Sequence, residues 1–229
     1  MAGVEGRVAL VTGGGRGIGR ATAELLASRG AKVMCVARSQ QDLAAVGLEY
    51  VVADLGSPEG CAHAVAEAER GLGPIEILVC NHGIGSAHER VVWEQPPEVW
   101  SETMRINLDG PFHLSRLVLP GMIQRNFGRI VYTSSTAGLI AEPAGCAYSS
   151  SKHGLLGLMR SVAVDAGAYG VTSNAGLRGG VRTELAERWA LRVGRDRGST
   201  RVQVGGGGAA RCPAGRVGRP GGGGALGGW

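Results

Sequence analysis

The chain lacks an apolar run long enough to span a membrane, for which about 20 consecutive apolar residues are needed. Its first residues also lack the basic and apolar regions of a secretion signal. The five cysteines are scattered without a C-x-x-C pair, and the five histidines show no metal-ligand spacing. We therefore expect reduced cysteines, no bound metal, no membrane association and a cytoplasmic location.

An excess of one charge sign is absent from most of the chain. Residues 1–183 carry 16 Lys/Arg and 16 Asp/Glu, so the net charge of +5 arises from residues 184–229. A nucleic-acid-binding protein would need a basic face in its folded part. The charge balance therefore argues against nucleic acid as a partner. A length of 229 residues with 44% hydrophobic residues is typical of a globular chain with one α/β domain.

Short apolar, β-rich runs alternate with segments of helical periodicity. Strands are predicted at 7–12, 32–37, 49–53, 75–80, 129–133 and 171–175. Helices are predicted at 17–30, 39–46, 57–71 and 147–169, with one long helix or two abutting helices at 97–126. Nearly continuous apolar strands separated by helices indicate a parallel sheet that is covered on both faces. We predict a single-domain, doubly wound α/β fold of the Rossmann-like type, with ligands at the carboxyl ends of the strands.

A glycine-rich turn joins the first strand to the first helix, where residues 12–19 read TGGGRGIG. The glycines permit a tight turn, and the helix N-terminus offers N–H groups and a partial positive charge to a phosphate. The spacing is neither that of a P-loop nor G-x-G-x-x-G. Taken alone, the turn fits either a phosphate site or close packing of the helix on the strand.

Six motifs in this order resemble those of the short-chain dehydrogenase/reductase family over residues 5–176. They are TGGGRGIG at 12–19, Asp54 after strand three, NHG at 81–83 where the family has Asn-Ala-Gly, Asn107, the serines at 134–135, and YSSSK at 148–152. The resemblance is greatest to bacterial 3-oxoacyl-(acyl carrier protein) reductases and implies a nicotinamide-dependent oxidoreductase. The implied cofactor-binding residues are Gly13, Gly15, Arg16, Gly17, Ile18, Gly19, Arg38, Asp54, Leu55, Asn81, Gly83, Tyr148, Lys152 and Thr183.

The end of strand two indicates which nicotinamide cofactor is used. It lacks the acid with which NAD-preferring members hold the ribose hydroxyls, and Arg38 follows it. Arg38 and Arg16 could bind a 2′-phosphate, which implies NADP(H); the alternative is that both face solvent. Asp42 is predicted to lie on a helix surface. By resemblance, Asp54 hydrogen-bonds adenine and Asn81 holds the loop beside the cofactor.

The resemblance also implies four catalytic residues, Asn107, Ser135, Tyr148 and Lys152. Tyr148 would donate the proton that ketone reduction requires. A tyrosine has an ordinary pKa of about 10, and the cation of Lys152, four residues later on the same helical face, would favour the tyrosinate. Ser135 would hydrogen-bond the substrate oxygen, with Ser134 as the competing serine. Asn107 would help to hold a water that relays protons to Lys152.

The C-terminal part departs from the family pattern. Arg178 stands where the family has the proline of a Pro-Gly pair, helical periodicity ends near residue 189, and residues 205–229 are roughly half glycine. Such a segment cannot bury enough apolar surface to offset its ordering entropy. We predict an NADP-binding catalytic domain at 1–190 and an atypical Gly/Arg-rich segment at 191–229. Within 176–229, part of the sequence is expected to be irregular or altered by a reading-frame or sequencing error.

The predicted function is NADPH-dependent reduction of a ketone, either a 3-oxoacyl thioester or a polyketide-like substrate, free or bound to an acyl carrier. A dehydrogenase of a sugar, steroid or small secondary alcohol is the first alternative. An inactive, cofactor-binding regulatory protein is the second. The substrate lid is expected after Thr183, in the atypical part, so the sequence does not choose the substrate. The family implies a homotetramer or dimer with contacts through the helices at 97–126 and 147–169.

Overall fold

A computed structural model of the protein describes residues 3–85 and 90–178, whose strands form one parallel sheet. The strands are β1 (Val8–Thr12), β2 (Lys32–Ala37), β3 (Glu49–Val52), β4 (Ile77–Cys80), β5 (Gly128–Ser135) and β6 (Val171–Arg178). Their order in the sheet is β3-β2-β1-β4-β5-β6, and every neighbouring pair is parallel. The predicted doubly wound α/β fold is therefore confirmed, with the order of the strands reversing between β1 and β4.

Helices connect the strands as the periodicity predicts. In the described ranges they are α1 (Gly17–Ser28), α2 (Gln40–Ala44), α3 (Pro58–Leu72), α4 (Pro97–Met104), α5 (Gly110–Gln124) and α6 (Cys146–Ala166). Short 3-10 turns lie at Val92–Glu94, Thr136–Gly138 and Gly167–Tyr169. The Ser57 hydroxyl accepts a hydrogen bond from Gly60 N, and Pro58 occupies the first turn, so α3 begins where the sequence predicts.

Two apolar cores lie on opposite faces of the sheet. The larger core lies under α3, α5 and α6 and includes Leu78, Leu114 and Leu155. The smaller core lies under α1 and α2 and includes Val11 and Leu43. Burial of each such aliphatic side chain stabilises the fold by about 1.5–3 kcal/mol. Both faces are covered, which explains why the strands read as continuous apolar runs.

The predicted helix at 97–126 is interrupted by a π-helical turn, Arg105–Asp109, between α4 and α5. Pro111 in the first turn of α5 has no N–H group to donate to the Asn107 carbonyl, as a regular α-helix would require. The wider turn accommodates this missing hydrogen bond. Such π-helical turns often occur at functional sites.

Cysteines Cys35, Cys61, Cys80 and Cys146 are free thiols. Burial raises the pKa of Cys35 to about 11 and that of Cys61 to about 12, so both thiols stay protonated near neutral pH. No helix within residues 3–85 and 90–178 has the length and hydropathy of a membrane span. Within the same ranges, no His, Cys, Asp or Glu side chains are grouped in a way that could hold a metal ion.

Candidate active site

A cleft of about 320 Å³ opens at the carboxyl ends of the strands. Its lining residues are Gly13, Gly15, Arg16, Gly17, Ile18, Ala37, Arg38, Ser39, Asp42, Ala53, Asp54, Leu55, Gly56, Asn81, His82, Gly83, Ile84, Ile106, Tyr148 and Lys152. Every predicted cofactor-binding residue within the described ranges is among them except Gly19. The predicted Thr183, and the segment boundary at 190, lie outside the described residues.

The glycine turn between β1 and α1 has the backbone geometry that its glycines predict. Gly13 and Gly17 have φ angles of +63° and +56°, a region that side chains disfavour. A Cβ on Gly19 would lie 2.1 Å from the Gly13 carbonyl oxygen, so helix and turn could not approach as they do. The Arg16 side chain does not cap α1, which leaves the first N–H groups of the helix available for an anion.

The Thr12 hydroxyl joins the glycine turn to the segment after β4. It donates to the Val79 carbonyl over 3.0 Å and accepts from Asn81 N at 2.9 Å and His82 N at 3.2 Å. The side-chain amide of Asn81 returns a bond of 3.2 Å to the Thr12 carbonyl. The family expectation that Asn81 holds the loop beside the cofactor thus has a geometric basis in these contacts.

His82 also contacts Thr12, although no chemical role was predicted for it from the sequence. Its Nδ1 lies 2.8 Å from the Thr12 hydroxyl, and its Nε2 atom is buried. Burial, followed by the Lys152 cation, lowers the pKa of His82 to about 4. The imidazole is therefore neutral near pH 7. In the sequence, the one local indication that residue 82 is unusual is that a histidine stands where the family has the alanine of Asn-Ala-Gly.

At the far end of the cleft, both oxygens of the Asp54 carboxylate are hydrogen-bonded. Oδ1 accepts from Gly56 N at 3.1 Å, and Oδ2 accepts from Arg105 Nη1 at 3.0 Å. Partial burial acts to raise the pKa of Asp54, but the hydrogen bonds from Gly56 and Arg105, with the charge of Arg38 nearby, hold it below its usual value. Asp54 is therefore an ionised acceptor that lines the cleft.

The wall after β2 carries Arg38, together with Ser39 and Asp42. Asp42 lies on α2 as predicted, but it is half-buried and lines the cleft, and a Cβ on Gly15 would lie 2.9 Å from the Asp42 Cβ. Ser39 caps α2 and accepts from Asp42 N at 3.2 Å. The start of α2 therefore packs against the glycine turn at Gly15.

Tyr148 and Lys152 extend from the first turns of α6 into the cleft. Lys152 is 4% exposed, and its Nζ donates to the Thr133 carbonyl at 3.0 Å and lies 5.6 Å from the centroid of the Tyr148 ring. The two neighbouring serines differ. The Ser134 hydroxyl is fully buried and donates to the Lys152 carbonyl at 3.3 Å, whereas the Ser135 hydroxyl accepts from Ala137 N.

Asn107 lies beneath this end of the cleft, in the π-helical turn. Its amide forms two hydrogen bonds with Ile84, from Ile84 N at 2.8 Å and to the Ile84 carbonyl at 3.0 Å, and donates to the Ser151 hydroxyl at 3.1 Å. A Cβ on Gly83 would lie 3.1 Å from Asn107 Oδ1 and 3.7 Å from Lys152 Nζ. Asn107 is thus adjacent to the lysine but is fully buried behind the cleft.

The cleft combines two chemical capacities. Its glycine turn at a helix N-terminus can bind phosphate oxygens. At the other end, a phenol hydroxyl beside a buried ammonium group can exchange a proton with a bound molecule. The glycine turn follows β1, and α6, which carries Tyr148 and Lys152, follows β5, so both lie at the carboxyl ends of parallel strands, as expected for ligand sites in such sheets.

Comparison with known proteins agrees with these capacities. Residues 7–193 match the sequence profile of the family described as short chain dehydrogenase, which extends past residue 176, where the resemblance of the sequence to the family was predicted to end. D-beta-hydroxybutyrate dehydrogenase of Cupriavidus necator is 35% identical over 81% of this chain and 74% of its own length. The 3-oxoacyl-(acyl-carrier-protein) reductase of Vibrio cholerae is 35% identical over 95% of this chain and 86% of its own. The solved structure of levodione reductase superposes with a TM-score of 0.81 at 30% identity, covering 84% of this chain and 78% of its own.

Proposed function

Because the chain belongs to the short-chain dehydrogenase family, an oxidoreductase family, we propose that it reduces a ketone with NADPH and that Tyr148 supplies the proton. One observation carries this proposal: Tyr148 and Lys152 line the same cleft as the glycine turn. A cofactor held by its phosphates at the turn could reach a carbonyl held at the tyrosine.

The residues present fit a dinucleotide. Gly19 leaves no space for a Cβ between α1 and the turn, and Gly13 leaves little between the turn and Asn81 and His82, so the backbone itself forms the surface of the phosphate site. Gly15, Gly17 and Ile18 continue that surface, and Asp54, Leu55, Asn81 and Gly83 would contact the rest of the molecule. When bound, a nicotinamide supplies the hydride. The protein's own residues would supply the proton and orient the substrate.

The charge of the wall after β2 favours a cofactor with a 2′-phosphate. Arg16 and Arg38 both line the cleft, and a guanidinium can bind phosphate through two parallel hydrogen bonds. Asp42 contributes the opposing charge on the same wall. Arg16 of the glycine turn and Arg38 of this wall, against the one carboxylate of Asp42, give this part of the cleft a positive charge, which supports NADPH over NADH.

The proton chemistry is assigned to residues around Lys152. Its buried ammonium would favour the tyrosinate form of Tyr148, so that the hydroxyl gives up its proton more readily near neutral pH. Ser135 is the better candidate to hold the substrate oxygen, because the Ser134 hydroxyl is already directed to the Lys152 carbonyl. Asn107 keeps the loop at Ile84 in place beside the lysine and would help to hold a relaying water.

For the substrate we propose a 3-oxoacyl thioester. Two of the relatives are named for 3-oxoacyl and acetoacetyl thioesters and one for 3-hydroxybutyrate, which share an oxygen at the third carbon of an acyl group. Leu139 and Ile140 follow Ser135 closely and are well exposed, so they could contact an apolar chain. The hydroxybutyrate relative favours a second candidate, oxidation of a small secondary alcohol by the same residues.

We also propose that copies of the chain associate, as a dimer or tetramer. Trp100, Phe112 and Leu117 on α4 and α5, and Val164 on α6, are exposed apolar side chains on the helices for which the family implies subunit contacts. Sedimentation velocity of the protein and of a Phe112→Glu variant would test this. A monomeric wild type would contradict it.

The test of the proposed activity is initial-rate oxidation of NADPH and of NADH. The substrates are an acetoacetyl thioester, a cyclic diketone, a keto-sugar and a steroid ketone. We expect the thioester with NADPH to give the highest kcat/KM, and an Arg38→Asp variant to lose NADPH preference. A preference for NADH would contradict the assignment of Arg16 and Arg38. Cofactor binding without turnover of any substrate would instead favour the regulatory, cofactor-binding alternative.

A further inference from the structure

Arg105 is a cationic residue at the adenosine end of the cleft that the proposed chemistry does not use. It is the first residue of the π-helical turn, 51 positions away in sequence from the Asp54 carboxylate that it contacts at 3.0 Å. Their side chains are 39% and 46% exposed, and ion pairs at such exposure stabilise folds by only about 0–1 kcal/mol. Stability of the fold is therefore a poor explanation for the contact.

The backbone around Asp54 is shaped for this arginine. A Cβ on Gly56 would lie 2.2 Å from Arg105 Nη1 and 3.1 Å from Ile106 Cγ1, so the absence of a side chain at Gly56 makes room for the guanidinium. One residue earlier, the Leu55 carbonyl lies 2.2 Å from where a Cβ on Gly110 would stand. The segment after β3 thus fits closely against the π-helical turn at Gly56 and against the start of α5 at Gly110.

The contact fixes how the Asp54 carboxylate is oriented. Oδ2 faces Arg105 and Oδ1 faces Gly56 N, so the plane of the carboxylate is set by a donor on each oxygen. Each carboxylate oxygen has two lone pairs, and the two bonds leave acceptor capacity free toward the cleft that Asp54 lines. The same donors keep the pKa of Asp54 low, which maintains the acceptor in its charged form.

We propose that Arg105 is a positioning residue for adenine: it holds the Asp54 carboxylate in the orientation in which it accepts the amino group of the adenine ring. This inference rests on the proposed dinucleotide site. It concerns binding alone, because Asn107 in the same turn is held by its own bonds to Ile84 and Ser151 and does not depend on Arg105.

The experiment measures ligand affinity without turnover, by calorimetric titration of the full chain. In Arg105→Gln we expect Kd for ADP-ribose and for its 2′-phosphorylated form to rise by the same factor, roughly tenfold, as for a displaced hydrogen bond to a charged group. Arg105→Lys should recover part of this loss. If only the phosphorylated ligand loses affinity, Arg105 contacts the phosphate directly and the inference is wrong.

A second pair of ligands isolates the amino group. Wild type should prefer NADPH over its deamino analogue, in which hypoxanthine replaces adenine, and Arg105→Gln should lose most of that preference. Gly56→Ala, which displaces the guanidinium while every charge stays in place, should act in the same direction. An unchanged adenine preference in both variants would overturn the inference.

The control is Arg70→Gln, which breaks an exposed ion pair with Glu67 at the opposite end of α3 and should leave every Kd unchanged. Where the enzyme turns over, KM for NADPH should rise in Arg105→Gln with kcat changed by less than about twofold, since no transition-state contact is removed. Absence of ketone reduction would defeat the proposed function but not this inference, because the affinities are measured without substrate.

Discussion

Polar side chains at the amino ends of the central strands differ from those at the carboxyl ends in what they contact. At the amino ends, Arg7 pairs with Glu76, whose carboxylate also accepts from Val8 N. The guanidinium groups of Arg7 and Arg129 lie 3.9 Å and 4.3 Å from the centroid of the Phe127 ring. These groups contact one another and the strand backbone, which ties the starts of β1, β4 and β5 together.

At the carboxyl ends, the polar groups line an open cleft. Tyr148, Lys152 and Asp54 each present a titratable group to it, and Thr12 holds two of its walls together behind them. The two ends belong to the same strands and share one backbone geometry. We therefore expect substitutions at the amino ends to change stability alone, and those at the carboxyl ends to change binding or turnover.

The largest expected effect is that of Tyr148→Phe at the carboxyl end. Loss of the hydroxyl removes the proposed proton donor, and general acid catalysis contributes about 10²–10⁴-fold, so kcat should fall by about 10³-fold. The NADPH affinity should stay within about twofold, because the ring remains. Tyr169→Phe makes the same change at an exposed tyrosine just before β6 and should leave kcat unaltered. Initial rates and fluorescence titration measure both, and a retained kcat in Tyr148→Phe would refute the mechanism.

Thr12→Val comes next, because it changes the junction behind the cleft without altering side-chain shape. The substitution leaves Asn81 N and His82 N without this acceptor and should lower the free energy of unfolding by about 3 kcal/mol. It should also weaken cofactor affinity, since the two walls are no longer joined. Thr172→Val, at an exposed position at the start of β6, is the matched control and should change the free energy of unfolding by less than about 0.5 kcal/mol. Urea denaturation of both variants decides the comparison, and equal stabilities would contradict it.

A smaller effect should appear in the pH dependence of stability, through His82. Its pKa is about 4 in the folded protein and about 6.5 when unfolded, so the unfolded state binds the proton more tightly between these values. Stability is therefore lost as the pH falls, by about 2 kcal/mol between pH 7.5 and pH 5. His82→Ala should remove this component of the slope in urea denaturation at a series of pH values. A variant with the wild-type slope would show that His82 does not titrate in this way.

Local features of the fold could be predicted from the sequence because they depend on neighbouring residues. The strands, the glycine turn and the Ser57 cap follow from apolar periodicity, permitted φ angles and side-chain hydrogen bonds a few residues apart. The order of the motifs along the chain then predicted that Tyr148 and Lys152 would share a cleft with that turn.

Contacts between distant segments could not be predicted in this way. Arg105 and Asp54 are 51 residues apart, and His82 and Thr12 are 70 apart, so no local pattern indicates either pair. The position of Asp42 beside the glycine turn could not be predicted for a related reason, since the packing of α2 against Gly15 is a tertiary contact. Apolar periodicity and the order of the motifs predict which segments meet at the carboxyl ends of the strands. Which side chains contact each other there depends on how the helices pack on the sheet.

Phe127→Leu, at the amino end, should have the smallest effect and gives the sharpest test of the separation. Leucine keeps an apolar side chain but removes the aromatic face that two guanidinium groups contact, so unfolding should become easier by about 1 kcal/mol. Phe127→Tyr keeps that face and should retain stability. In both variants kcat and cofactor affinity should match wild type, because the amino ends share no side chain with the cleft within the described ranges. A fall in kcat that exceeds the loss of folded protein would mean that the two ends of the sheet are coupled, and the distinction between them would not hold.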